Sequence, residues 1–287
     1  MTAEQDEGAF KALTQQISRA RGFSCEAYKS KCLRRRIAVR MRARGVHSFA
    51  DYGRLLDQDA HEYDLLLDAL TINVTKFYRN PETWDALART HLPALWRAAG
   101  GRVRAWSAGC ASGEEPYTVA VVLAEAARAA GGTEPRPLAH ARVDATDVDR
   151  ASLEQTRSAA WPESAFTEMP QALVRRYFTE GPPGPPALPP LSPPLRRAVP
   201  ELQRLVRVLQ HDLVREAPPD PPYDLIVCRN VVIYFDRTTQ ERLFARFTEA
   251  LRPGGLLVLG KVETLLGAAR ERLQLLDPRE RIYQRPG

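Results

Sequence analysis

The sequence predicts an α/β protein with a mostly parallel sheet, preceded by a small all-helical region. Residues 103–108 form a short apolar run, followed by a turn of small residues and then by the Ala-, Val- and Leu-rich stretch 115–130, which indicates strand, turn and helix. Two further segments, 139–146 and 223–228, also indicate strands and are followed by polar residues, as expected for strands of a parallel sheet that binds a ligand at its carboxyl edge. Residues 4–72 instead carry apolar residues at helical spacing.

The turn after the first strand has the position of a nucleotide-binding loop, because glycine there lets the backbone approach a ligand closely. The turn contains Gly109 and Gly113, but no Lys-Ser or Lys-Thr pair follows, which excludes a P-loop. Glu114 and Glu115 begin the helix, where a phosphate would need bare N–H groups. A ligand with hydroxyl groups and a positive charge fits better, and S-adenosylmethionine is such a ligand. On these residues alone, a purely structural turn is an equal alternative.

The composition is that of a globular protein of 287 residues, with 44% hydrophobic and 26% charged residues and a net charge of +6. Residues 1–7 are polar and acidic, and no apolar run reaches the length of a membrane span, so we expect neither a signal peptide nor a membrane-inserted segment. The cysteines lack the spacing of metal ligands, and they predict a reduced, cytoplasmic protein without a metal site. They are Cys25, Cys32, Cys110 and Cys228.

Much of the positive charge lies in the helical region, between residues 26 and 44. This stretch combines apolar residues at helical spacing with a broad basic face. The candidate substrate contacts on this face are Arg34, Arg35, Arg36 and Arg40. A solvated helix face and an acidic protein partner are both open at this point. Nucleic acid is less favoured, because the stretch lacks interleaved aromatic residues and any known binding motif.

Residues 71–81 follow the helical region and are too polar for a core strand. Asn73, Thr75 and Arg79 project polar groups from this segment, and the planar guanidinium of Arg79 is suited to binding a carboxylate. The alternative is a plain interdomain linker. A helix is expected at 82–98, begun by Pro81 in its first turn, and it leads into the first strand.

Polar residues also follow the other strands, at the edge where open parallel sheets bind ligands. Asp147 and Asp149 end the second strand, and we assign Asp147 to ribose hydroxyl groups of a ligand and Asp149 to the cap of the next helix. Arg229, Asn230 and Tyr234 follow the last of the buried runs. The sequence therefore predicts a ligand site at this edge.

The C-terminal part completes the predicted sheet. Residues 204–210 and 256–260 indicate two more strands, and residues 273–285 indicate a terminal antiparallel hairpin. A helix at 238–251 is expected to end at the following Pro-Gly-Gly. Residues 181–200 are so rich in proline that we expect an exposed loop or an extended polyproline segment, either a spacer or a ligand for a partner.

Five stretches together resemble the chemotaxis receptor (CheR-type) glutamate O-methyltransferases. They are TINVTKFYR at 71–79, WSAGCASGEEPY at 106–117, ATDVD at 145–149, CRNVVIYFD at 228–236 and LRPGGLLVLG at 251–260. They occur in the family's order and are highly specific as a set.

The resemblance implies two domains. Residues 1–80 are expected to form a small all-α domain that is basic and faces the substrate. Residues 81–287 are expected to form a Rossmann-like class I methyltransferase domain with a Pro-rich insertion at about 179–200. Its sheet is expected to be seven-stranded and mostly parallel, with an antiparallel C-terminal hairpin.

The resemblance also implies the cofactor, S-adenosylmethionine, and its product, S-adenosylhomocysteine. The implied cofactor contacts are Asn73, Thr75, Arg79, Gly109, Glu115, Asp147, Asp212, Leu213, Arg229 and Asn230. Arg79 and Tyr234 are implied to lie near the transferred methyl group and to act in catalysis.

The implied activity is methyl transfer to glutamate carboxylates in the cytoplasmic domain of a chemoreceptor, for signalling adaptation. A glutamate is already ionised at neutral pH, so the reaction needs alignment and desolvation rather than a general base. Two rival hypotheses are a methyltransferase for a different acceptor and a non-catalytic scaffold that binds S-adenosylmethionine.

Three features depart from the family pattern. The proline tract occupies most of the place where peptide-docking members carry a small β-subdomain. Residues 260–263 read Gly-Lys-Val-Glu where the family has Gly-His-Ser-Glu. Asp212-Leu213 stands where the family has Asn-Leu, which adds a negative charge.

Overall fold

The structure, a computed structural model, describes residues 3–70, 75–131, 138–180 and 195–287. The chain divides into two compact units. The helical unit comprises Met1–Ile72 and Ile233–Gln240, and the sheet unit comprises Asn73–Val232 and Glu241–Gly287. Residues 75–80, which we expected in the helical domain, thus belong to the sheet unit. Aromatic packing holds this segment in the sheet unit. The Phe77 ring is fully buried and stacks on Phe166 at a centroid distance of 4.4 Å.

Helices form most of the described part of the helical unit, as the sequence predicts. They are α1 (Ala3–Arg21), α2 (Ser30–Ala43), α3 (Phe49–Gln58) and α4 (Ala60–Leu70). Their apolar faces meet in one core, in which Ile17, Ile37 and Leu66 are completely buried. The segment Ile233–Gln240 is tied to this unit by its backbone, because Asp236 N donates a hydrogen bond to Ala27 O at 2.8 Å.

The described strands of the sheet unit are β1 (Arg104–Ala108), β2 (Arg142–Asp147), β3 (Ala160–Pro162), β4 (Phe178–Glu180), β5 (Leu195–Ala198), β6 (Val206–Gln210), β7 (Tyr223–Cys228), β8 (Leu251–Leu259), β9 (Gln274–Asp277) and β10 (Ile282–Gln284). Seven of them form one sheet in the order β6-β2-β1-β7-β8-β10-β9. The first five of these are parallel, and β10 runs antiparallel to both β8 and β9. The predicted fold class, a mostly parallel seven-stranded sheet with an antiparallel C-terminal hairpin, is confirmed.

The remaining described helices belong wholly or mainly to the sheet unit. They are α5 (Pro81–Ala86), α6 (Leu92–Ala98), α7 (Glu114–Ala129), α8 (Arg150–Ser158), α9 (Gln171–Tyr177), α10 (Pro200–Leu205), α11 (Arg237–Ala250) and α12 (Ala269–Arg272). We expected one helix at 82–98, but a π-helical turn at Leu87–His91 separates α5 from α6. Pro93 explains the irregularity, because it has no N–H for the regular helical hydrogen bond.

The strand expected at 256–260 is longer in the structure and begins directly after α11. Residue Tyr223 of β7 pairs with Leu251, whereas Leu225 pairs with Leu256. The register shift accommodates the Pro-Gly-Gly sequence as a bulge, in which Gly254 has a φ of +80°. Pro-Gly-Gly therefore lies inside the strand rather than before it.

The prediction of a loop over the whole of 181–200 is wrong at its C-terminal end. Residues 181–194 lie outside the described residues, but Leu195–Ala198 form β5, which pairs antiparallel with β3 and β4. Pro200 then begins α10. The four residues of β5 contain no proline, so each keeps the N–H group that a strand needs. A small antiparallel sheet is thus present where we expected the proline tract to replace it.

In the described part of the chain, no helix is both long and apolar enough to cross a membrane. The four cysteines are free thiols.

Candidate active site

The turn after β1 runs along the carboxyl ends of β1 and β2. Gly109 N and Cys110 N both donate hydrogen bonds to Thr146 O, each at 2.9 Å. Gly109 has a φ of +84°, and a Cβ atom on it would lie 2.6 Å from Val231 Cγ2. Both the left-handed backbone and the packing of Val231 therefore require glycine at this position.

Glu115, in the first turn of α7, provides a largely desolvated carboxylate at this edge. Ser107 Oγ, which is completely buried, donates a hydrogen bond to Glu115 Oε1 at 2.8 Å. Burial raises the pKa of Glu115 to about 7, while the positive charges of Arg229 and Arg79 oppose this increase. Glu115 is thus near its titration midpoint at neutral pH, and a cationic ligand group beside it would favour the charged form.

Asp147, at the end of β2, offers a second carboxylate. Its Oδ2 accepts a hydrogen bond from Ala111 N at 2.9 Å, and its Oδ1 accepts one from Asp149 N at 3.0 Å. Burial raises the pKa of Asp147, and these backbone hydrogen bonds oppose the increase. A carboxylate has about four acceptor sites, so Asp147 can accept a hydrogen bond from a ligand hydroxyl group as well. Asp149 caps α8 through a hydrogen bond from Ala151 N, so its predicted role is confirmed.

The residues after β7 supply a buried cation and a buried amide. The guanidinium of Arg229, which is 6% exposed, lies 5.2 Å from the centroid of the Trp84 ring, and its Nη2 donates to Asn80 Oδ1 at 2.8 Å. Within the described residues, Arg229 Nε and Asn230 Oδ1 are buried without a hydrogen-bond partner. Burial lowers the pKa of Arg229, and the charge of Glu115 opposes that change. Unpaired buried groups of this kind indicate the place of a polar ligand.

The backbone that carries Arg79 is fixed in the sheet unit. Tyr78 N donates to Thr118 Oγ1 at 3.1 Å, and Trp84 Nε1 donates to Arg79 O at 3.1 Å. Tyr78 and Asn80, on either side of Arg79, have left-handed φ values of +56° and +60°. These contacts hold the chain reversal that presents Arg79.

The four remaining implied cofactor contacts are Asn73, Thr75, Asp212 and Leu213. Asn73 lies outside the described residues, and Thr75 is half-buried. Asp212 already serves its own turn, because its Oδ1 accepts a hydrogen bond from Val214 N at 2.8 Å. Leu213 is 8% exposed. Their roles toward a cofactor stay predictions.

Tyr234, the second residue expected near the methyl group, belongs to the helical unit. Its carbonyl oxygen accepts a hydrogen bond from Lys29 N at 2.9 Å, and the Arg36 guanidinium lies 5.5 Å from the centroid of its ring. Its catalytic role stays a prediction.

Three of the four arginines chosen as substrate contacts are engaged inside the helical unit. Arg34 Nη1 binds Asp6 at 2.9 Å, and its guanidinium lies 4.1 Å from the centroid of the Phe10 ring. Arg36 Nη1 donates to Leu70 O at 3.0 Å, at the end of α4.

Arg40 is the third engaged arginine. It binds Glu62 through two hydrogen bonds, at 3.0 and 2.7 Å, and Glu62 is completely buried. Tyr52 and Arg44 also donate to this carboxylate. Burial acts to raise the pKa of Glu62, but the hydrogen bonds from Arg40 and Tyr52 hold it below its usual range. Arg34, Arg36 and Arg40 thus have partners inside the helical unit, and their role toward a substrate stays a prediction.

The solvent-facing side of α2 is a narrower surface, which we call the basic stripe: Lys31, Arg35, Val39 and Arg42. Spacings of four, four and three residues place them on one face of the helix. All four are exposed, and Val39 is 48% exposed. In the described part of the chain, the side chains of Lys31, Arg35 and Arg42 form no hydrogen bond or ion pair. Arg35 is the only one of the four predicted arginines on this stripe.

S-adenosylmethionine fits the residues at the sheet edge. Its ammonium group matches the desolvated carboxylate of Glu115, and its carboxylate matches the unpaired Nε of Arg229. Its ribose hydroxyl groups match the carboxylate of Asp147 at the end of β2. The fold and the site together are those of a class I methyltransferase that uses S-adenosylmethionine.

Comparisons with known proteins identify the family. Residues 73–282 match the family described as "CheR methyltransferase, SAM binding domain", and residues 8–71 match "CheR methyltransferase, all-alpha domain". The chain belongs to the CheR methyltransferase family. The predicted cofactor and enzyme class are confirmed.

Several curated relatives are similar over most of their length. The chemotaxis protein methyltransferase of Klebsiella aerogenes is 33% identical over 265 residues, which cover 91% of this chain and 85% of the relative. Chemotaxis protein methyltransferase 2 of Pseudomonas aeruginosa is 34% identical, over 91% of this chain and 88% of the relative. The Escherichia coli K12 chemotaxis protein methyltransferase is 33% identical, over 88% and 83%.

Two residues that support the site were not predicted from the sequence. Asn80 is the side-chain acceptor for Arg229, and Glu263 binds the backbone after β7, with its Oε2 accepting from Asn230 N at 2.9 Å. Asn80 directly follows Arg79 and gave no separate signal. Glu263 is the last residue of the stretch 260–263, which we compared with the family only for its differences.

Proposed function

We propose that this protein transfers the methyl group of S-adenosylmethionine to glutamate side chains in the cytoplasmic domain of a chemoreceptor. The observation that carries the proposal is the set of unpaired or desolvated polar groups at the carboxyl edge of β1, β2 and β7, on a chain of the CheR methyltransferase family. The names of the curated relatives support the role in chemotaxis.

The cofactor supplies a methyl group on a sulfonium, which is a good leaving group. The residues of this chain bind and orient it: Glu115 takes the ammonium group, Asp147 the ribose, and Arg229 the carboxylate. Arg79 contributes positive charge beside Glu115, since its charge opposes the increase in the pKa of Glu115. We propose that Arg79 also positions the incoming glutamate carboxylate, with Tyr234 close to the reacting centre. No residue needs to remove a proton, because the acceptor is already ionised at neutral pH.

The basic stripe is our candidate for substrate recognition. A helix that carries methylatable glutamates is acidic, and the three free cations of the stripe are complementary to it. Val39 adds an exposed apolar side chain between Arg35 and Arg42, which would pack against such a helix. This proposal replaces the broader basic face that we predicted from the sequence.

The proposed reaction is tested by incubating the protein with methyl-labelled S-adenosylmethionine and a purified receptor cytoplasmic domain. The expected result is label on the receptor fragment that is released as methanol by mild base, because glutamate methyl esters are base-labile. Base-stable label would indicate another acceptor chemistry, and cofactor binding without transfer to any receptor fragment would indicate a scaffold. Either result would reject the proposal.

The stripe is tested by the double variant Lys31→Glu, Arg35→Glu. We expect the KM for the receptor fragment to rise about tenfold at low salt, with kcat and the affinity for S-adenosylhomocysteine unchanged, and the effect to shrink at high salt. Lys11→Glu, on the exposed side of α1, is the matched charge-reversal control. Arg34→Glu is unsuitable, because it breaks the pairing with Asp6. An unchanged KM in the double variant would leave the stripe as a solvated helix face.

We further propose a cytoplasmic location. The four free cysteines support it, since thiols persist in a reducing compartment.

A partner for the Pro-rich tract is also a proposal, because most of that tract lies outside the described residues. Deletion of residues 182–193 should leave methylation of an isolated receptor fragment intact and weaken only the binding of such a partner.

A further inference from the structure

Glu263 is a buried carboxylate that accepts three backbone hydrogen bonds. It is 2% exposed. Its Oε2 accepts hydrogen bonds from Asn230 N at 2.9 Å and from Gly260 N at 2.6 Å, and its Oε1 accepts one from Val231 N at 3.0 Å. One side chain therefore binds the end of β8 and two consecutive residues after β7.

These hydrogen bonds hold an unusual conformation. Asn230 has a φ of +60°, in the left-handed region that non-glycine residues rarely adopt. Glu263 accepts hydrogen bonds from the N–H of Asn230 itself and from that of Val231, so the carboxylate fixes the turn directly. The same turn carries the two unpaired buried groups of the site, Arg229 Nε and Asn230 Oδ1. The direction of both groups depends on the turn.

We propose that Glu263 is a positioning residue that holds Arg229 and Asn230 in the geometry that recognises the amino-acid end of S-adenosylmethionine. This inference rests on the proposed function and assigns one part of the cofactor to one part of the site. The amino-acid end carries the carboxylate and the ammonium group. These are the partners for a guanidinium N–H and for an amide oxygen. The adenosine end is instead assigned to Asp147, which lies at the end of β2.

A carboxylate is required at this position because three N–H donors meet two oxygen atoms. In glutamine, one oxygen is replaced by an NH₂ group, which would point a donor at a backbone donor. At least one buried N–H would lose its acceptor. The side chain of glutamine has almost the same volume, so the change tests the hydrogen bonds without opening a cavity.

The test is calorimetric titration of Glu263→Gln with two ligands. S-adenosylhomocysteine has the amino-acid end, whereas 5′-methylthioadenosine has the same adenosine and thioether but lacks it. We expect the affinity for S-adenosylhomocysteine to fall about tenfold, as for a buried donor left unpaired, and the affinity for 5′-methylthioadenosine to be unchanged. An equal loss of affinity for both ligands would indicate a merely structural role and would overturn the inference. Unchanged affinity for both ligands would also overturn it.

A second variant, Gly260→Ala, disturbs the hydrogen bonds of the Glu263 carboxylate by adding a side chain beside it. A Cβ atom on Gly260 would lie 2.7 Å from Glu263 Oε2 and 3.0 Å from Asn230 N, so Gly260→Ala should displace the carboxylate and give the same selective loss. If circular dichroism shows that Glu263→Gln does not fold, Gly260→Ala tests the proposal in its place. The expected result is again a loss of affinity for S-adenosylhomocysteine but not for 5′-methylthioadenosine.

Two controls match these variants. Glu249→Gln changes a carboxylate that is 66% exposed, and Gly8→Ala adds a Cβ atom where no heavy atom lies within 4 Å. Both should bind the two ligands as the wild type does. The wild type distinguishes failure of the proposed function from failure of this inference. If the wild type does not bind S-adenosylhomocysteine, the proposed function is rejected. If the wild type and both variants bind it equally well, only the role of Glu263 is rejected.

Discussion

Lowering the pH below neutrality is expected to weaken the binding of S-adenosylhomocysteine, because Glu115 becomes protonated. Burial raises the pKa of Glu115 to about 7, so its ionised fraction falls about tenfold for each pH unit well below that value. The ammonium group of the ligand requires the ionised form. The association constant should therefore be about tenfold lower at pH ~6 than at pH ~8, which corresponds to about 1.4 kcal/mol.

The same group has an opposite effect on stability. Its pKa is 4.5 in an ordinary environment and about 7 in the folded protein, so the folded state holds the proton more tightly than the unfolded state. The free energy of unfolding therefore falls as the pH rises from about 4.5 to about 7, and the cost of burying the ionised group reaches at most about 3 kcal/mol above that range. Glu115→Gln removes this cost. The variant should unfold at a higher temperature than the wild type at pH ~8, although it binds the ligand more weakly.

The assay is calorimetric titration with S-adenosylhomocysteine from pH ~5.5 to ~8.5 at constant ionic strength, together with thermal unfolding at pH ~8 followed by circular dichroism. In Glu115→Gln the affinity should be low and its dependence on pH much smaller. A residual slope would belong to another desolvated acid such as Asp147, whose pKa is also raised by burial. A wild-type affinity that does not change over this range, or a variant that keeps the full slope, would refute the reasoning.

Three further predictions concern single residues. Gly109→Ala should lower the free energy of unfolding by about 1–3 kcal/mol and weaken the binding of S-adenosylhomocysteine, because the added Cβ atom would clash with Val231. Thermal unfolding checks the first effect and calorimetric titration checks the second. Glu62→Gln should cost about 3–5 kcal/mol in unfolding free energy, because it breaks the buried pair with Arg40, while ligand affinity of the folded variant stays unchanged. Arg79→Ala should reduce methyl transfer about 100-fold at an unchanged unfolding temperature, and wild-type turnover would reject its role in positioning.

The local parts of the site were predictable from the sequence. The turn at Gly109 and the cap at Asp149 depend on residues within a few positions, and both follow from the usual chemistry of glycine and aspartate. Parallel strands place their carboxyl ends at one edge, so the positions of Asp147 and Arg229 at that edge followed from the order of the strands.

The parts that the sequence did not reveal depend on contacts between distant residues. The basic face of α2 was overestimated because the partners of its arginines lie elsewhere, such as Asp6 for Arg34 and Glu62 for Arg40. Periodicity shows which residues point away from the core but not which of them meet an opposite charge. Glu263 was missed for the same reason, because its partner Asn230 lies 33 residues earlier in the chain.

The measurement that tests the central claim most directly is a crystal structure of the protein with S-adenosylhomocysteine bound. The account predicts the ribose against Asp147, and the ammonium and carboxylate groups against Glu115 and Arg229, at the carboxyl edge of β1, β2 and β7. Ligand density elsewhere on the chain, or an amino-acid end that contacts neither Glu115 nor Arg229, would contradict it.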